Sequence, residues 1–141
     1  MNRDAVILVA EDEDGHFALI QKNLFRVGLN NEIIRFTDGQ QVLDFFQKGD
    51  SRLHDKYILL LDLRMPKVGG FEVLQVLKSR PGLKAIPVIV LTTANTPHDI
   101  QRCHELGCAL YIVKPVEYDS LIESIQRIGE FLKVIEVPQA V

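Results

Sequence analysis

Residues 57–70 read YILLLDLRMPKVGG. Five apolar residues run together without alternation and end on an aspartate, Asp62. A strand with one wet face alternates apolar and polar residues, so a short unbroken apolar run predicts a strand buried on both faces, as in a parallel sheet. Three other runs repeat the pattern: residues 5–10 (AVILVA), 87–91 (PVIVL) and Leu110–Val113 (LYIV). Residues 32–36 (EIIRF) form a weaker strand, and their two charges suit a place near the sheet edge.

The segments between these runs have helical spacing. Phe17, Ile20, Leu24 and Val27 recur at steps of three and four and are followed by Gly28, a residue suited to a helix C-terminus. Asp38 is placed to cap a helix carrying Val42, Phe45 and Phe46, with Gly49 to end it. Phe71, Leu74 and Leu77 mark a third helix that Pro81 stops. Thr96-Pro97 is a cap and first turn for a fourth, ending at Gly107. Leu121, Ile125, Ile128, Leu132 and Ile135 stripe a fifth, which runs to about residue 135 and leaves a short tail. Parallel strands need crossover helices, and right-handed crossovers fold five βα units into a doubly wound α/β sheet with helices on both faces.

Bulk properties narrow the function. The 141 residues suit one domain with one core, residues 1–141, and no linker or repeat divides them. A formal net charge of −3, with both signs interspersed, opposes a sequence-independent grip on nucleic acid. No apolar run approaches the roughly 18 residues that cross a bilayer, so no membrane partner is expected. Cys103 and Cys108 are too few for a disulfide scaffold, which places the protein in a reducing cytoplasm with free thiols.

In open α/β sheets the site lies beyond the carboxyl ends of the strands. There the first strand delivers Glu11-Asp12-Glu13-Asp14, the third Asp62, the fourth Thr92-Thr93, and the fifth Lys114-Pro115. Glu11, Asp12 and Asp62 crowd like charge, which a hard divalent ion such as Mg²⁺ would relieve. A carboxylate can also attack phosphorus, giving an aspartyl phosphate, provided the phosphoryl oxygens are neutralised. The Lys114 ammonium and the Thr92 hydroxyl could do so from other sides. Asp14 reads more simply as a helix cap, and Glu13 as a solvated charge.

These residues resemble the receiver domain of bacterial two-component response regulators. The resemblance runs from about residue 6 to about residue 128: ILVAEDED, LLLDLRMPKVGGFEVL, PVIVLTT and YIVKP stand in the family's order and spacing. It implies a flavodoxin-like fold of strand order 2-1-3-4-5, with Asp62 as phosphoacceptor. Asp12 and Asp62 would bind Mg²⁺ directly, Glu11 through a water, and the Arg64 backbone carbonyl would complete the site. Lys114 would contact the phosphoryl group, and the Lys114–Pro115 bond would be cis. Thr92 and Tyr111 would act as switch residues, and the donor would be a phosphohistidine on a partner histidine kinase. EDEDGHFALI, LTT and the apolar end of the last helix resemble the small regulators paired with phytochrome-type kinases.

Three positions depart from the family pattern. Glu11 stands for the commoner Asp, Thr93 for a small residue that leaves the pocket open, and Arg64 occupies a variable position from which it is expected to set the lifetime of the phosphoryl group. A haloacid-dehalogenase-type hydrolase would need an acid at Arg64. A flavin-binding module would need a phosphate loop where the four acids stand, so an enzyme is not expected. Cys103, His104 and Cys108 lack the second ligand pair of a zinc site. The chain stops at IEVPQAV with no output domain, so output is expected through binding. Phe131 and Val134 widen the apolar surface of the last helix and point to a homodimer through it.

Overall fold

The computed structural model describes residues 4–47 and 56–138. In chain order the elements are β1 (Val6–Ala10), α1 (Asp14–Arg26), β2 (Ile33–Phe36), α2 (Gly39–Gln47), β3 (Tyr57–Leu61), α3 (Gly70–Ser79), β4 (Val88–Thr92), α4 (Pro97–Leu106), β5 (Leu110–Val113) and α5 (Tyr118–Val134). The five strands form one parallel sheet in the order β2-β1-β3-β4-β5. The expected α/β doubly wound architecture is therefore observed, with β2 at an edge.

Unbroken apolar strands make two cores at once, because successive side chains point to opposite faces. Val6, Leu8, Tyr57, Leu59, Val88 and Val90 bury against α2, α3 and α4 through Val42, Phe46, Leu74, Leu77 and Cys103. Ile7, Val9, Ile58, Leu60, Ile89 and Leu91 bury against α1 and α5 through Ile20, Leu24, Leu121, Ile125 and Leu132. Each such aliphatic side chain contributes roughly 1.5–3 kcal/mol of burial.

The helix ends follow the residues that signalled them. The Thr96 hydroxyl accepts from the Asp99 amide at 3.2 Å, and the Asp38 carboxylate from the Gln41 amide at 2.8 Å. Gly107 turns left-handed (φ 102°), and its N–H donates to the Cys103 and His104 carbonyls. The fifth helix ends at Val134, with Ile135 already extended. Gly49, expected to close α2, lies outside the described residues.

Two expectations need correction. Glu13, not Asp14, is the residue before α1, and Asp14 is its first helical residue, with a carboxylate 2.7 Å from the Arg35 guanidinium. Placing an acid inside the first turn favours the helix dipole without using the side chain as a cap. The Lys114–Pro115 bond is trans, as are all peptide bonds among the described residues. The trans form of an X–Pro bond is favoured by about 0.5–1 kcal/mol. Here the Lys114 amide donates to the Thr92 carbonyl at 2.7 Å, and its ammonium reaches two carboxylates, with the bond trans.

Register then brings the strand ends together. Ala10 lies beside Leu61, and Thr92 beside Val113, so the next residues on β1, β3 and β5 leave the sheet at one edge. Behind this edge the loop from β3 to α3 is held close. A Cβ on Gly70 would lie 2.6 Å from the Leu63 Cα, and one on Gly39 would lie 2.0 Å from the Val68 carbonyl oxygen. No other residue fits these two positions without moving backbone.

Candidate phosphoacceptor site

Asp62 ends up at the point where the strand order reverses, between β1 and β3, where doubly wound sheets open a crevice. Its carboxylate is fully engaged. Oδ1 accepts from the Thr92 hydroxyl at 2.8 Å and from the Arg64 amide at 3.0 Å, while Oδ2 accepts from the Lys114 ammonium at 3.0 Å. Lys114 also donates to Glu11 Oε1 in a short contact and lies 3.0 Å from His16 Nδ1. The second Glu11 oxygen accepts from the Glu13 amide at 3.3 Å. Glu11, Asp62, Thr92 and Lys114 are all buried, whereas Asp12 is exposed.

Burial dominates the electrostatics here. It pushes the Glu11 carboxyl up to about 7, aided by the nearby Asp62 charge, although the bond and charge of Lys114 pull the other way. Burial alone would lower Lys114, but its bonds to Glu11 and Asp62 outweigh that and hold it above the ordinary lysine value. The ammonium is therefore a fixed positive charge between two carboxylates.

One carboxylate oxygen each from Glu11, Asp12 and Asp62 lie within 4.8 Å of one another. A Mg²⁺ ion sits about 2.0–2.1 Å from its oxygens, so opposed ligands stand roughly 4 Å apart, and the donor set fits with small adjustment. The chemistry suits a hard cation, since all three donors are carboxyl oxygens.

The remaining expected residues fall as follows. Arg64 bonds Asp62 through its backbone amide, and its side chain is exposed, as is that of Thr93. Tyr111 is half-buried, and its hydroxyl donates to the Ala94 carbonyl at 2.6 Å; burial raises it to about 12. Cys103 and Cys108 are free, buried thiols, with Cys103 pushed up to about 12 by desolvation. They join no metal cluster among the described residues.

Two residues beside the site carried no functional signal in the sequence. His16 sits on the first turn of α1 and touches Lys114, ninety-eight positions away. Arg35 belongs to β2 and reaches the Glu11 carbonyl at 3.1 Å. Both contacts depend on long-range pairing that no local spacing reveals.

Residues 7–126 match the response regulator receiver domain. The chain belongs to that family. This receiver is 34% identical to response regulator Rcp1 of Synechocystis over 142 residues, covering 99% of this chain and 97% of Rcp1. The solved structure of Rcp1 in its Mn²⁺-bound form superposes with a TM-score of 0.86 at 33% identity, over 94% of this receiver and 98% of Rcp1. A receiver domain from Rhodospirillum rubrum superposes with a TM-score of 0.91 at 40% identity, over 96% and 98% of the two chains. Phosphorylated RcpA, a cyanobacterial phytochrome response regulator, gives 0.85 at 32% identity, over 94% of this receiver and 97% of RcpA. The relatives of this receiver thus include phytochrome-associated regulators. No helix among its described residues is long and apolar enough to cross a membrane.

Proposed function

We propose that this receiver domain takes a phosphoryl group from a histidine kinase onto Asp62, with Mg²⁺, and signals by the change in shape that follows. The observation that carries the reading is the triple hold on one buried carboxylate, by Lys114, Thr92 and the Arg64 amide, beside the acidic pair Glu11-Asp12. Glu11, Asp12, Asp62 and the Arg64 carbonyl would hold the cation, which supplies charge neutralisation on the phosphoryl oxygens. An Asp62 oxygen attacks phosphorus as the bond to the donor's imidazole nitrogen breaks, and the imidazole leaves with the electron pair. Lys114, already within reach of Asp62, then pairs with a phosphoryl oxygen. The Thr92 hydroxyl swings from the Asp62 carboxylate to a phosphoryl oxygen, and Tyr111, whose hydroxyl donates to the Ala94 carbonyl, turns inward behind it.

No separate substrate is turned over in this reading: the chemistry is the gain and loss of the domain's own phosphoryl group. Likeness to RcpA favours a phytochrome-type kinase as donor, and on this proposal kinase and receiver meet in the cytoplasm. Incubation with Mg²⁺ and acetyl phosphate, followed by intact mass measurement, should show the gain of one phosphoryl group and none when EDTA replaces the metal. A gain that survives EDTA, or no gain from either acetyl phosphate or a purified phosphorylated kinase, would sink the proposal.

Output follows by self-association through α5. Phe131 and Val134, three residues apart on that helix, are 38% and 77% exposed and so share one solvent-facing side. Sedimentation should show a concentration-dependent dimer that Val134→Lys weakens by at least tenfold. A monomer at every concentration, with and without phosphoryl group, would exclude it.

A further inference from the structure

Arg35 grips the loop that bears the two acidic residues of the site from the neighbouring edge strand. Its Nε donates to the Glu11 backbone carbonyl at 3.1 Å. The Glu11 amide donates in turn to the Phe36 carbonyl at 3.0 Å, so two successive residues of β2 hold the backbone of Glu11 on both sides. The Arg35 guanidinium lies 2.7 Å from Asp14 Oδ1 and 4.7 Å from the centre of the Phe17 ring, both on α1. Its contacts therefore bracket Asp12, with one at the Glu11 carbonyl before it and the others at Asp14 and Phe17 after it.

We infer that Arg35 is a positioning residue for the divalent cation, holding the β1–α1 loop in the shape that presents the Glu11 and Asp12 carboxylates beside Asp62. This rests on the proposal that those three residues bind Mg²⁺. The pairing with Asp14 is worth little in itself, since that carboxylate is almost fully exposed. The bond to the Glu11 carbonyl is different. It fixes the backbone of a buried residue whose side chain is already committed to Lys114, and partners of this outer kind typically alter metal affinity 10–100-fold when lost.

Geometry and charge make opposite demands, which allows a clean test. Arg35 is a cation near a cation site, so a purely electrostatic role predicts tighter Mg²⁺ binding once it is removed. A positioning role predicts weaker binding when the Nε donor goes. Arg35→Met keeps the apolar stem over Phe17 but has no donor. Arg35→Gln loses the charge yet keeps a nitrogen donor at the same place along the side chain.

Isothermal titration of each EDTA-stripped variant with Mg²⁺, beside its thermal unfolding without metal, separates the cases. Arg35→Met should bind Mg²⁺ about tenfold more weakly than wild type, while Arg35→Gln binds at least as tightly. Equal or tighter binding by Arg35→Met overturns the inference, as does a tenfold loss in Arg35→Gln, which decides alone should the Met variant fail to fold. Wild-type protein that takes up no Mg²⁺ would instead remove the cation reading itself, and the role of Arg35 with it.

Discussion

Asp62→Asn is expected to gain no phosphoryl group from acetyl phosphate or from a phosphorylated kinase, under conditions in which wild type gains one. The amide keeps the size of the side chain, and its oxygen can still accept from Thr92 and the Arg64 amide. What it loses is the anionic oxygen that faces Lys114 at 3.0 Å. An amide is a poor nucleophile toward phosphorus because its nitrogen lone pair is delocalised, and it is a weaker ligand for a hard cation than a carboxylate. A second, independent effect should follow. Ligand that binds only the folded state stabilises it by RT ln(1 + [L]/Kd), about 1.4 kcal/mol at a concentration ten times Kd. Urea unfolding with and without Mg²⁺ should show that increment in wild type and little of it in Asp62→Asn. Equal Mg²⁺ stabilisation of both proteins would mean that the cation sits somewhere other than at Asp62.

The pH dependence of stability without metal should fall in the unusual direction for an acid. Most carboxylates in folded proteins are held below their ordinary value and add stability as pH rises. Glu11 is raised from 4.5 to about 7 by burial, so between those values the folded protein carries its proton and the unfolded chain does not. Stability rises with pH only where the unfolded state binds more protons; here it binds fewer, and stability falls. The Glu11 contribution is complete below about 4.5 and is lost as pH climbs through about 7, amounting to about 3 kcal/mol over the window. Lys114 does not disturb this, because its raised value lies above 10.5 and its contribution is constant across the same range.

Glu11→Gln isolates the effect, since the neutral amide cannot titrate. Unfolding free energies of wild type and Glu11→Gln, measured in EDTA from pH 4.5 to 7.5, should diverge by about 3 kcal/mol, with wild type losing ground as pH rises. Parallel curves would show that the Lys114 contact keeps Glu11 ionised despite its burial. On the proposed function, a cation bound beside Glu11 would recover the cost of ionising this carboxyl.

Much of this was legible along the chain. Tyr57–Leu61 declares a buried parallel strand because no half-exposed strand tolerates five apolar residues in succession, and Asp62 stands out because a carboxylate directly after such a run needs partners. Strand-end position alone also singled out Glu11, Thr92 and Lys114, since a parallel sheet sends all its carboxyl ends to one edge. The caps at Asp38 and Thr96 were readable because capping is a local contact spanning three residues. The Lys114–Pro115 bond was not: proline biases its isomer by less than the packing around it can supply.

By itself, then, the sequence determined the order of elements, both apolar faces of the sheet and the edge at which the acids, hydroxyl and ammonium collect. These follow from periodicity and connection rules that act over a few residues. Only the tertiary structure decided that Lys114 bridges Glu11 and Asp62, that His16 closes on the same ammonium, and that Arg35 holds the loop between them from the edge strand. The shift of Glu11 belongs to the same class. Each depends on charges brought together across long stretches of chain and on the water that packing removes, and neither quantity exists before the chain has folded.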